Sequence, residues 1–374
     1  MSATTYQSRP FGWIVGPRYD RALIFGGAAA SLCAPLLVWW RPGLLAPLFW
    51  VWLFFFDGTH SWATYSRTYA DADFRRENRR LLFGSLVWFA LPAAAILLWG
   101  ATGSLGPVHL FLLAAQFWSY HHIVRQHYGF ASIYDRKALA DRRSHLATKW
   151  ALYLGLWVPY FYFLLTHPLN RRIMSESPGG LPAIDYGWWD AALGYAAPAF
   201  SGALLIGLLA YQGRRRAGRG GRFGLSPAHL FVAACVLLYS VIFYVIAPLE
   251  PLLPGARTPV QSFMLMQVMI TLFHNIQYHA IVWHYNRNRP RRASLNRNFV
   301  VYALVGLTFS LVYVAAAWHT TEYPSWRGEV PENVLVPAAF CVWWGLSLHH
   351  YYLDQKIWRV SKAHDLQRQL GIEA

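Results

Sequence analysis

Charge is scarce in this chain, and so is cysteine. Only 13% of the 374 residues are charged, about half the share usual for a soluble domain, too few to cover a water-facing surface. The three cysteines, Cys33, Cys235 and Cys341, lie inside apolar stretches with no CxxC spacing, so neither a disulfide framework nor a thiolate zinc site has a basis. No haem-attachment CxxCH, iron–sulfur cysteine motif or flavin motif is present. Long polar stretches are missing too. The longest connections are 125–149 and 167–190, which leaves no room for a soluble domain. The first 20 residues are polar and mixed, so no cleavable signal segment is expected.

What remains is apolar: 56% of the residues are hydrophobic and 17% aromatic. Runs of roughly 20 residues, the length that spans a bilayer, occur near 22–40, 44–64, 81–100, 105–124, 148–166, 191–211, 227–248, 260–284, 299–318 and 333–353. The basic residues settle the orientation, because short cytoplasmic loops collect Lys and Arg. Of the 33, 28 fall in the N-terminus, the loops after the even-numbered runs and the C-terminal tail. The expectation is an all-α polytopic transmembrane bundle of about ten spans with both termini cytoplasmic. It forms one integral membrane domain over 1–374, with cytoplasmic tails at 1–21 and 355–374, in a bacterial inner membrane. The net charge of +16 then reads as topology and attraction to anionic headgroups, the GRRRAGRGGRFG linker at 213–224 included, and no nucleic-acid partner is expected. The 167–190 connection, with Trp188 and Trp189, reads as an interfacial loop.

Even-numbered spans end on the cytoplasmic side, and there the histidines collect. The second ends in FFFDGTHSW with Asp57 and His60. The fourth ends in FWSYHHIVRQHYGF with His121, His122 and His127, and the eighth in FHNIQYHAIVWHYN with His274, His279 and His284. The tenth ends in LSLHHYYLDQKIW with His349, His350 and Asp354. The opposite ends hold only His109, His167 and His319, so general enrichment at interfaces does not account for the pattern. An ionisable group at membrane depth marks a functional site by default, and imidazole with carboxylate suits iron, copper, zinc or nickel. Nine histidines exceed the four ligands of one zinc and are enough for two metals with supporting partners.

On a regular helix His279 points about 140° from His274, and His284 points about 80° from His274 on the other side. A π-type turn would instead align residues five apart. Adjacent pairs diverge by about 100°, so His122 and His350 read as ligands with His121 and His349 behind them. Asp57 and Asp354 read as ligands or as groups that orient histidines. The metal set is thus His60, His122, His127, His274, His279, His284, His349 and His350, with Asp57, His121 and Asp354 as ligands or supporting groups. His145, His229 and His364 read as ordinary loop or tail residues.

In setting many histidines at the cytoplasmic ends of membrane helices, the chain resembles the histidine-rich membrane oxygenases: fatty-acid desaturases, fatty-acid hydroxylases and alkane hydroxylases. The boxes here are DxxH, HHxxxxH, HxxxxHxxxxH and HHxxxD, without the HxxHH of those families, so the likeness is one of site design. It implies two metal ions, iron before zinc or copper, and oxygen-dependent hydroxylation or desaturation of a lipid or other apolar substrate. Electrons would come from an external ferredoxin, cytochrome or reductase. Two other functions fit parts of the pattern. A membrane zinc hydrolase acting on a lipid amide or ester would use a few histidines and an aspartate; a haem-binding electron carrier would have little use for nine, and a metal transporter would carry polar residues right across the membrane.

Overall fold

The computed structural model describes residues 12–138, 140–168, 170–171, 188–217, 226–249, 259–288, 298–321, 333–358 and 364–372. The described residues are helical throughout, with no strand among them. Helices occupy the positions of all ten apolar runs: α1 Pro17–Trp40, α2 Pro42–Arg67 and α3 Arg79–Thr102, then α4 Gly106–Lys137, α5 Arg142–Thr166 and α6 Trp188–Ala217. After them come α7 Pro227–Leu249, α8 Pro259–Arg287, α9 Phe299–Thr321 and α10 Leu335–Ile357. A short α11, His364–Leu370, follows. The 213–224 linker and most of the 167–190 connection lie outside the described residues.

Local chemistry sets the ends. Asp141 accepts from the Ser144 N–H at 2.9 Å and caps α5, as Asp71 does for the short helix Ala72–Glu77. Such caps satisfy amides that a helix start leaves unpaired. Gly103, at φ 66°, closes α3 in the left-handed region that favours glycine.

By length and composition six of the helical segments, α1, α2, α3, α6, α7 and α9, can cross a membrane. Three of the remaining four, α4, α8 and α10, carry the histidines, whose presence lowers their hydropathy. Apolar side chains cover the outside of the molecule as well as filling its core. Trp40, Phe83 and Leu97 are exposed, whereas Asn275, Gln277, Ser61 and Thr64 are buried completely, as expected where lipid rather than water surrounds the bundle.

Helix α8 is the hub. It packs on α1, α2 and α4, while α10 closes the other side against α2, α3, α4 and α9. The α1–α8 crossing is tight: a Cβ on Gly27 would stand 3.2 Å from both the Cα and the carbonyl oxygen of Phe273. Across the same seam Ser31 Oγ accepts from the Phe273 N–H at 3.0 Å. Gln277 Nε2 donates to the Ile24 carbonyl at 2.8 Å, which belongs to the π-helical segment Asp20–Phe25 of α1. His274, the next residue after Phe273, is thereby held against a backbone that has no slack.

Candidate metal centre

Four helices each turn one histidine into the same buried point: His60 from α2, His122 from α4, His274 from α8 and His350 from α10. The ring centroids of His60 lie 4.6 Å from His274, 5.2 Å from His350 and 6.0 Å from His122. Those of His122 lie 4.9 Å from His274 and 5.2 Å from His350. All four residues are 1–3% exposed. Within this group one ligand atom each of His60, His122 and His274 falls within 4.8 Å of the others, a set that could hold a metal ion.

The local backbone of α2 explains how His60 arrives there. A π-helical turn, Leu53–Asp57, interrupts α2 just ahead of it. Such turns leave carbonyls short of intrahelical donors, and side chains supply them. Ser310 Oγ donates to the Phe54 carbonyl at 2.6 Å, Thr59 Oγ1 to that of Phe55 at 2.6 Å, and His279 Nε2 reaches that of Phe56 at 3.4 Å. Helix α8, by contrast, is regular α throughout; the π turn that the histidine spacing allowed there lies in α2 instead.

The polar atoms fit a cation better than they fit one another. His60 Nε2 and His274 Nε2 face each other at 3.2 Å. Two nitrogens each about 2.0–2.1 Å from one metal, at angles of roughly 90–110°, stand about 2.9–3.4 Å apart. The buried His122 Nε2, His350 Nε2 and Asp354 Oδ2 have no hydrogen-bond partner. An unmade hydrogen bond on a buried group costs about 1–3 kcal/mol, so three in one place ask for a ligand. Asp354 Oδ2 lies 3.7 Å from His122 Nε2. Its other oxygen accepts from Thr64 Oγ1 at 2.6 Å and from the Tyr278 hydroxyl, which in turn accepts from Trp358 Nε1 at 3.2 Å.

The other expected site residues lie around this core or away from it. His127 packs beside His274, with ring centroids 6.3 Å apart, and its Nε2 meets the Tyr239 hydroxyl at 3.1 Å. His279 is 6.4 Å from His60 by centroids and is engaged by Thr59 Oγ1 at 3.1 Å. Asp57 is turned to α9 and α8, accepting from the Tyr313 hydroxyl at 2.9 Å and from Asn275 Nδ2 at 3.4 Å. His349 sits apart among hydroxyls: Nδ1 meets Tyr65 at 3.0 Å and Nε2 meets Ser85 at 2.8 Å. His121 stacks near Trp157, 6.2 Å between centroids. His284 meets Asn288 Nδ2 at 3.3 Å, because ten residues of helix carry it about 15 Å along the axis from His274.

Two groups escaped the sequence reading. Tyr278 packs on His60, 4.4 Å between centroids, and holds Asp354; its position four residues after His274 on α8 was the available signal. His145 is not a free loop residue. Its Nδ1 faces the buried Asp135 carboxylate at 3.1 Å and its Nε2 the Tyr128 hydroxyl at 3.0 Å, a contact that the tight α4–α5 turn makes possible.

No protein-family model matches this chain, and neither a curated protein nor a solved structure matches it. The site's own chemistry therefore carries the functional reading.

Proposed function

We propose that this chain is a polytopic membrane metalloenzyme of the histidine-rich oxygenase kind. In this reading it binds two iron ions at the cytoplasmic face and hydroxylates or desaturates a lipid-soluble substrate at the expense of O₂. The observation that carries the reading is the convergence of His60, His122, His274 and His350 from four helices on one buried point. His60, His122 and His274 are the donors for one ion; His350 and Asp354, flanking His122, are donors for the second. Iron supplies the O₂ activation that attack on a C–H bond requires. The chain's own residues do the rest. Thr64 and Tyr278 fix the Asp354 carboxylate so that its second oxygen faces His122. Phe130, Ile133 and Ile281 give the cavity beside His122 and Asp354 an apolar side against which an apolar substrate would lie.

The same proposal places all ten helices across a bacterial inner membrane with both termini inside. On this topology 28 of the 33 basic residues lie on the same side of the membrane as the site, where an acidic ferredoxin, cytochrome or reductase would be steered to it. The test is isotopic. With reductant and substrate, a hydroxylated product should carry ¹⁸O from ¹⁸O₂; product formed under argon without reductant refutes the oxygenase reading.

A second reading rests on one observation. Three imidazoles within 4.8 Å beside an unpartnered aspartate oxygen is also the donor set of a mononuclear catalytic zinc. A zinc hydrolase acting on a lipid amide or ester would take its oxygen from water, and the ¹⁸O experiment separates the two.

A further inference from the structure

Helices α2, α8 and α10 bring two layers of side chains together beside the metal centre. The first is Thr64, Tyr278 and Asp354. The second is Arg67, Tyr285 and Trp358, set three, seven and four residues further along the same helices, spacings that return to the same helix face. In the second layer the Arg67 guanidinium lies 3.7 Å from the ring centre of Tyr285 and 4.1 Å from that of Trp358. Arg67 is only 5% exposed, and its Nε and Nη1 have no hydrogen-bond partner among the described residues. Burying a charge in this way is costly, and the two aromatic faces offset only part of the cost. Packing alone does not call for it, since an apolar side chain would fill the same space.

Trp358 joins the layers. It caps the C-terminus of α10, its backbone N–H returning to the Asp354 carbonyl at 3.4 Å, and its indole Nε1 donates to the Tyr278 hydroxyl at 3.2 Å. An indole N–H can only donate, so the direction of the chain is fixed. The Tyr278 oxygen accepts from Trp358, and its own proton is left for Asp354 Oδ1. Thr64 Oγ1 stands 2.6 Å from that Oδ1 and 3.0 Å from the Tyr278 oxygen, so its single proton has two competing acceptors. With the Tyr278 oxygen engaged by Trp358, the proton of Thr64 goes to Oδ1. That oxygen then carries two hydrogen bonds, while Oδ2 has none and lies 3.7 Å from His122 Nε2.

We infer that Trp358, held by Arg67, is a positioning residue that turns both hydroxyl protons onto Oδ1 and leaves Oδ2 as the one oxygen through which Asp354 binds a metal ion. The cation against the indole face draws charge from the ring and strengthens its N–H as a donor. This rests on the reading of Asp354 as a metal donor and deepens it: the carboxylate binds through one oxygen rather than two, and the choice is imposed from the second layer.

The test uses Co²⁺ as the probe, because its visible spectrum reports the donor set as well as the affinity. Full-length purified protein is stripped with a chelator and titrated with Co²⁺. Asp354→Asn should weaken binding at the site it serves. Trp358→Phe, which keeps a ring against Arg67 but lacks the N–H, should weaken it about tenfold, the loss usual for a partner that orients a ligand, and shift the Co²⁺ bands. In the Asp354→Asn background Trp358→Phe should add nothing, because a residue that acts through another has no effect once that one is gone. Unchanged Co²⁺ affinity and spectrum in Trp358→Phe, or the same loss in both backgrounds, would overturn the inference and leave the metal centre standing. Wild-type Co²⁺ binding in Asp354→Asn would overturn the inference and also remove Asp354 from the centre. Melting temperatures accompany each titration. If Trp358→Phe does not fold, Tyr278→Phe, which keeps its ring and deletes the donated proton, is read in the same two backgrounds with the same expected and contrary results.

Discussion

The Nε2 atoms of His60 and His274 face each other across 3.2 Å, from helices α2 and α8. Neutral imidazoles can satisfy this approach with one hydrogen bond, but that leaves the neighbouring His122 and His350 Nε2 atoms unpartnered. Metal ions bound between these groups would satisfy them together, which is why this pair is the centre of the account.

His274→Ala should lose metal, whereas His319→Ala should retain it. Removal of a ligand nitrogen is not made good by a neighbour, and His319 lies on an exposed face near the far end of α9. The check is metal content of both purified variants; equal content would remove His274 from the site.

His349→Ala should behave differently from its neighbour His350→Ala. His349 bridges the Tyr65 and Ser85 hydroxyls, so its loss removes two buried hydrogen bonds, each worth about 0.5–1.5 kcal/mol, with metal content unchanged. His350→Ala should lower metal content with little change in melting temperature. Thermal unfolding and metal analysis on the two variants separate the roles.

This pair also shows what the sequence could reveal. That histidines gather at one end of alternate helices was legible, because an imidazole in an apolar run has few bland partners. Which of them meet was legible only in part. The divergence of adjacent pairs by about 100° set His122 and His350 apart from His121 and His349, and His122 and His350 are the two found in the cluster. The hydroxyls of Tyr65 and Ser85 that receive His349, in contrast, are tertiary neighbours. Helical angles placed His284 on roughly the side of His274, but angle says nothing of level, and about 15 Å of axial rise separates them. The π turn at Leu53–Asp57 follows from side-chain donors on other helices, such as Ser310, and no local pattern announces it. Helix positions, in contrast, were set by runs long enough to read directly.

Gly27→Val should damage the site from a distance. Its Cβ would press on the Phe273 Cα and carbonyl at 3.2 Å, and backbone cannot rotate away. Overpacking of this kind costs about 1–3 kcal/mol and would push α8 off α1, displacing His274. Reduced melting temperature together with reduced metal content is expected; normal metal binding would show that the α1–α8 seam does not position the ligand.

The orientation of the bundle is open to labelling. With native cysteines replaced, a cysteine at Ser104, after α3, should react with an impermeant maleimide added outside intact cells, and one at Ala138, after α4, should react only after lysis. The reverse pattern would put the histidine cluster on the outer face.

Metal analysis of the purified wild-type protein, with Mössbauer spectra of ⁵⁷Fe-grown material, tests the central claim most directly. The account predicts two irons per chain in coupled sites, with at least the ion held by His60, His122 and His274 lost in His60→Ala. A single zinc, a haem, or no metal retained by the folded protein would contradict it.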